Sequence, residues 1–186
     1  MTKRPIDFLV DLNGKAPRNL RDSIRKVGNA SHGFRSSWKS GEHQYAFETS
    51  QEAFAELDYI QNELLRQRDA AKNLANWAGS PLDSALQVAV GRICSPLSAP
   101  DESWFQNLTP GQGALPSTTP NSVLTLGMSL NKLKHRTTSV VNFALPATGG
   151  HMLYVLTEAG MGQPATLCEI DIDLFCTCCG SAANHV

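Results

Sequence analysis

The sequence predicts an α+β fold: an N-terminal β-α-β-β-α unit with helices packed on an antiparallel sheet, then a Pro-rich connection and a C-terminal antiparallel β-meander. Three observations lead there. Apolar residues recur at three- and four-residue steps from Phe54 to Trp77, the mark of an amphipathic helix. Five of the ten prolines fall between 96 and 120 among Ser, Thr and Gly, where all period is lost. From residue 122 onward, short β-prone runs alternate with turn residues. The expected boundaries are an α+β domain at 1–94, a linker or long loop at 95–121, and a β-rich region at 122–186 that extends the first sheet or stands apart.

In chain order, the apolar run at 6–12 reads as a strand ending at Asn13-Gly14. Residues 17–27 read as a helix. Pro17 suits its first turn, and Leu20, Ile24 and Val27 share a face before a left-handed stop at Gly28. Residues 33–39 and 44–48 read as a β-hairpin about Ser40-Gly41-Glu42-His43. Thr49, three residues before Glu52, has capping-box spacing for a helix over about 50–78. A short helix is expected at 81–93. In the Pro-rich stretch, Trp104 and Phe105 are expected to pin the loop to a folded surface. Strands follow at 123–130, 137–145, 151–159 and 166–175.

The 186 residues are 41% hydrophobic and 18% charged, enough to bury a real core. The net charge of −1 gives no global pull toward nucleic acid or anionic lipid. That sum hides an asymmetry. Residues 1–50 carry nine Lys/Arg against five Asp/Glu, and residues 95–186 carry three against six, so a basic and an acidic end are expected. The first residues lack the apolar run of a signal peptide, and no stretch reaches about 18 apolar residues, so no membrane contact and a cytoplasmic setting are expected. The five cysteines crowd toward one end and suggest reduced thiols rather than a secreted disulfide framework.

The segment Cys168–Gly180, CEIDIDLFCTCCG, holds four of those cysteines. Taken as one strand, it puts Cys168, Ile170, Ile172 and Leu174 on one face and Glu169, Asp171 and Asp173 on the other. Cysteine is a small, readily buried hydrophobe, so the favoured reading is a core strand and no cofactor. The alternative is zinc held by Cys176, Cys178, Cys179 and His185, with Cys168 or His151 able to join. The acids suggest a stripe for a basic partner, or a Mg²⁺ pair serving a metal-dependent hydrolase or nuclease. At the basic end Arg18, Arg21, Arg25 and Lys26 would meet an acidic protein. With Arg35, Lys39, Trp38 and Tyr45 they would instead meet single-stranded nucleic acid. Cys94 is weighed as a nucleophile but has no locatable His partner.

No nucleophile elbow, phosphate-binding glycine loop or zinc-protease helix occurs in the chain. The expected function is therefore a non-enzymatic binding or regulatory protein acting through protein–protein contacts of charge-polarised surfaces. Small inhibitors carried by phages and other mobile elements fit that description. Oligomeric state is open.

Overall fold

A five-stranded antiparallel sheet, with most helices on one face and a short helix over the other, forms the frame of the computed structural model, which describes residues 20–138, 140–160 and 162–186. The strand expected at 6–12, Pro17 and Arg18 lie outside these residues. The α+β class is the one expected, but several elements change type.

The first change is the expected hairpin, which is helical. α1 runs Leu20–Ser40 and α2 runs His43–Ala71. The buried stripe of α1 is Leu20, Ser23, Ile24, Val27, Ser31, Phe34 and Ser37, a helical period sustained past Gly28. Three serines occupy core-facing positions in it, which is why the stripe is faint in hydropathy. Gly28 and Gly33 stay inside the helix. Gly41, at φ 82°, closes it: Glu42 N donates to Ser37 O (2.8 Å) and Gly41 N to Trp38 O (3.2 Å), the paired bonds of a Schellman turn. Thr49 is inside α2 rather than at its cap, and its hydroxyl donates back to Tyr45 O.

α2 ends at Ala71 rather than near 78. α3 spans Pro81–Leu86, capped by the Ser80 hydroxyl. The expected helix over 81–93 stops there, and β1 takes over at Ala89–Cys94. Within the Pro-rich stretch lies a helix, α4, at Ala99–Gln106, capped by Ser98 with Pro100 in its first turn. Phe105 is buried there while Trp104 is 40% exposed, so Phe105 alone does the pinning. The expected strand at 123–130 divides at Thr125 into β2 (Asn121–Thr125) and α5 (Leu126–Lys134), with Thr125 as the helix cap. β3 (Val141–Ala144), β4 (Met152–Thr157) and β5 (Thr166–Asp171) follow, and α6 (Ile172–Ala182) ends the fold.

The sheet order is β2-β1-β5-β4-β3. One face carries Ile93, Leu124, Val155, Cys168 and Ile170 against Ile60 and Leu64 of α2, Leu130 of α5 and Phe175 of α6. The other carries Cys94, Leu156 and Leu167 beneath Phe105 and Leu97. Each fully buried aliphatic side chain contributes about 1.5–3 kcal/mol. Among the described residues, no helix is long and apolar enough to cross a membrane.

Candidate functional site

The α1–α2 hairpin and the β3–β4 end of the sheet enclose an open cleft of about 450 Å³. Small side chains on both helices leave the space: Ala30 and Ser31 from α1, Ser50 and Ala53 from α2. Val27, Leu57, Leu153 and Ile172 supply aliphatic wall, and Phe47 stands 56% exposed at the mouth. Phe54 lines the cleft from α2 under the Arg136 guanidinium, whose Cζ lies 5.1 Å from the ring centroid. Arg136 is held there by two bonds to Asp58, of 2.7 and 3.1 Å.

A column of stacked rings forms another wall. Phe34 and Trp38, one helical turn apart on α1, stack at 6.0 Å and 14°. His151 stacks on Phe34 at 4.9 Å and 5°, and His43 on Trp38 at 4.5 Å and 25°, across the Schellman turn. Phe143 of β3 meets Phe34 and Trp38 edge-on, 4.7 Å from each. Its strand is fixed from outside: Gly113 N donates to Phe143 O, Gly111 N to Asn142 Oδ1, and Asn142 Nδ2 to Thr109 O.

His151 is the polar centre of the cleft. Its Nδ1 lies 3.0 Å from the Ser31 hydroxyl, and its carbonyl accepts from Ile172 N. Burial first, then the Arg35 charge, push the imidazole down to about 4, with Asp173 opposing. The ring is therefore neutral at neutral pH. Ser31 and His151 have nucleophile–base spacing, but so weak a base activates a hydroxyl poorly. Ser31 is also interior to α1, where helix bonds consume the amides an oxyanion would need.

His151 and Trp38 apart, the structure places the sequence-selected residues away from the cleft. Cys168 packs in β5 as a core residue, but the chain turns helical after Asp171, so CEIDIDLFCTCCG is half strand and half helix. Cys178 and Cys179 are buried on α6, Cys176 is half-buried, and His185 is exposed beyond the helix. Among the described residues, no group of three or more His, Cys, Asp or Glu side chains is placed to hold a metal ion, so the four zinc candidates are not brought together. Burial raises all these thiols, Cys168 and Cys176 to about 12. Cys94 is buried and its thiol also raised.

The three acids do not form one exposed stripe. Glu169 is buried, accepting from Arg92 Nε at 2.7 Å and from the Tyr154 hydroxyl at 2.6 Å. Asp171 caps α6 by accepting from Leu174 N. Asp173 pairs with Arg35 at 3.5 Å. Of the basic set, Arg21 donates to Asn184 Oδ1 (2.7 Å), Arg25 lies 3.5 Å from Asp22, and Lys26 lies 3.1 Å from Glu56. Trp38 is in the ring column, while Tyr45 is 58% exposed on α2.

Phe34, Phe47, Phe54 and Phe143 are the site residues that sequence reasoning missed. The four-residue spacing of Phe34 and Trp38 would have signalled part of it, had α1 been read through Gly28. Comparison with protein-family models, curated proteins and solved structures finds no match to this chain.

Proposed function

We propose that this chain is a non-enzymatic binding protein whose cleft captures a compact, ring-bearing apolar ligand. The observation that carries this is the cleft itself: about 450 Å³, open on one side, walled by stacked rings and by small side chains that leave it unfilled. Small-molecule sites have about this size and makeup, a largely apolar lining with few polar groups. An aromatic ligand would stack on, or meet edge-on, rings already held in place, so little ordering entropy opposes binding.

The test is a ¹H–¹⁵N NMR titration with toluene. Saturable shifts at the Trp38 indole N–H and the His151 and Phe143 amides are expected, and their loss on cleft-filling Ala53→Leu. Absence of saturable shifts, or shifts unaffected by the filled cleft, overturns the proposal.

A second reading keeps the regulatory role with a protein partner, favoured by Tyr45 and Phe47, exposed on the first turns of α2 beside the mouth. An apolar side chain of that partner would occupy the cleft. Phe47→Ser should then weaken a purified complex about tenfold or more, as for an interface hot spot. Unchanged affinity removes this reading.

A further inference from the structure

Resting on the cleft as a ligand site, we propose that it selects rings carrying one neutral hydrogen-bonding group, a phenol-type hydroxyl in particular, and that His151, oriented by Ser31, determines that specificity.

The polar inventory of the cleft leads to this residue. Asn142 is fully spent: its Oδ1 accepts from Gly111 N (3.1 Å) and Phe143 N (2.8 Å), and its Nδ2 donates to Leu108 O (3.4 Å) and Thr109 O (3.1 Å). Ser31 is engaged with His151 Nδ1. His43 is exposed. His151 Nε2 has no hydrogen-bond partner among the described residues and, in a half-buried ring, is reached from the open side of the cleft. A ligand hydroxyl that displaces solvent there gains a hydrogen bond in a mostly apolar setting; a plain hydrocarbon ring cannot make that bond and would leave Nε2 unpaired.

The Ser31 hydroxyl also sets what Nε2 can offer. When it donates to Nδ1, the proton sits on Nε2, which becomes a donor. When it accepts from Nδ1–H, Nε2 is an acceptor. A hydroxyl matches both forms. A carboxylate can only accept, so it pairs with the Nε2–H form alone, where the neutral ring offers its charge no counterion; Arg35, whose charge reaches the ring, already pairs with Asp173. An ionised ligand would give up its hydration for a mostly apolar wall.

The experiment compares toluene, p-cresol and 4-methylbenzoate on the full chain by NMR titration near neutral pH, with wild type, His151→Phe and, as a control outside the cleft on exposed α6 surface, Ser181→Ala. p-Cresol is expected to bind about tenfold more tightly than toluene, the effect of one good hydrogen bond. His151→Phe should remove that advantage and leave toluene within about threefold, Ser181→Ala should change neither, and 4-methylbenzoate should bind most weakly. The His151 Nε2 ¹⁵N resonance of the wild-type protein should move with p-cresol and not with toluene, a readout that needs no variant to fold. Equal affinity for toluene and p-cresol, a p-cresol advantage that survives His151→Phe or is lost in Ser181→Ala, preference for the benzoate, or a silent Nε2 resonance each overturns the selectivity while leaving the cleft as a binding site. Failure of all three compounds to bind overturns the cleft reading itself.

Discussion

Gly91 stands where β1 runs against β5, and a Cβ there would collide with the Glu169 carbonyl and the Ile170 backbone. Backbone cannot swing aside as a side-chain tip can. Gly91→Ala should therefore cost about 1–3 kcal/mol, read as a lower urea midpoint. His151 gives a second residue-scale prediction. Its folded value of about 4 lies below the ordinary 6.5, so between the two the unfolded chain binds more protons. Its contribution is whole above 6.5 and shrinks as pH falls toward 4, by about 2 kcal/mol from pH 7 to pH 5. Urea midpoints at those two pH values should converge more for wild type and His151→Phe at the lower pH; parallel curves would contradict it. At this scale the sequence is least informative. Nothing in HMLYV says that His151 will stack on Phe34, because that ring arrives from another element 117 positions away.

At the scale of the element, the C-terminal segment separates cap from charge. Asp171 accepts from Leu174 N at the start of α6. Asp171→Ala should cost about 1 kcal/mol and Asp171→Asn far less, since both Asp and Asn cap well. Thermal denaturation of the two variants checks this; equal losses would mean the charge rather than the cap matters. The strand-to-helix change at this residue shows what a short window hides. CEIDID alternates and LFCTCCG follows without a break, yet an Asx cap three residues before Leu174 is a helix start. The same signal sits at Thr125, where alternation also ran on into a helix. α1 is hidden for the opposite reason: core serines weaken its period, and Gly28 has the look of a stop. The long apolar stripe of α2 and the runs of β3 and β4 were legible because local pattern and tertiary burial agree there.

Across the whole molecule, the α+β class was readable from the mixture of periods, but the sheet order was not. β1 pairs with β5, joining Arg92 to Glu169 across 77 positions. No local propensity encodes such a pairing, nor the meeting of α1, α2, β3 and β4 that walls the cleft. The prolines of the 95–121 stretch suit a linker or long loop, and Phe105 pins it to a folded surface as expected; what composition hides is that a helix, α4, delivers that ring to the second face of the sheet. Phe105→Ala should cost about 3–5 kcal/mol. A loss under about 1 kcal/mol in equilibrium unfolding would show that α4 only rests on that face.

The bonds that hold residues 108–113 against Asn142 and Phe143 have a consequence for assembly. They occupy the outer side of β3 with the protein's own backbone, and Gln112 pairs with Ala144. A foreign strand has no ladder to join there. Among the described residues, β2 is the other end of the sheet, and none pairs with its outer side. Two copies that joined through their β2 strands would form one continuous ten-stranded sheet with a cleft at each far end. The two clefts would lie too far apart to share a small ligand, so titration of such a dimer would fit two equal and independent sites.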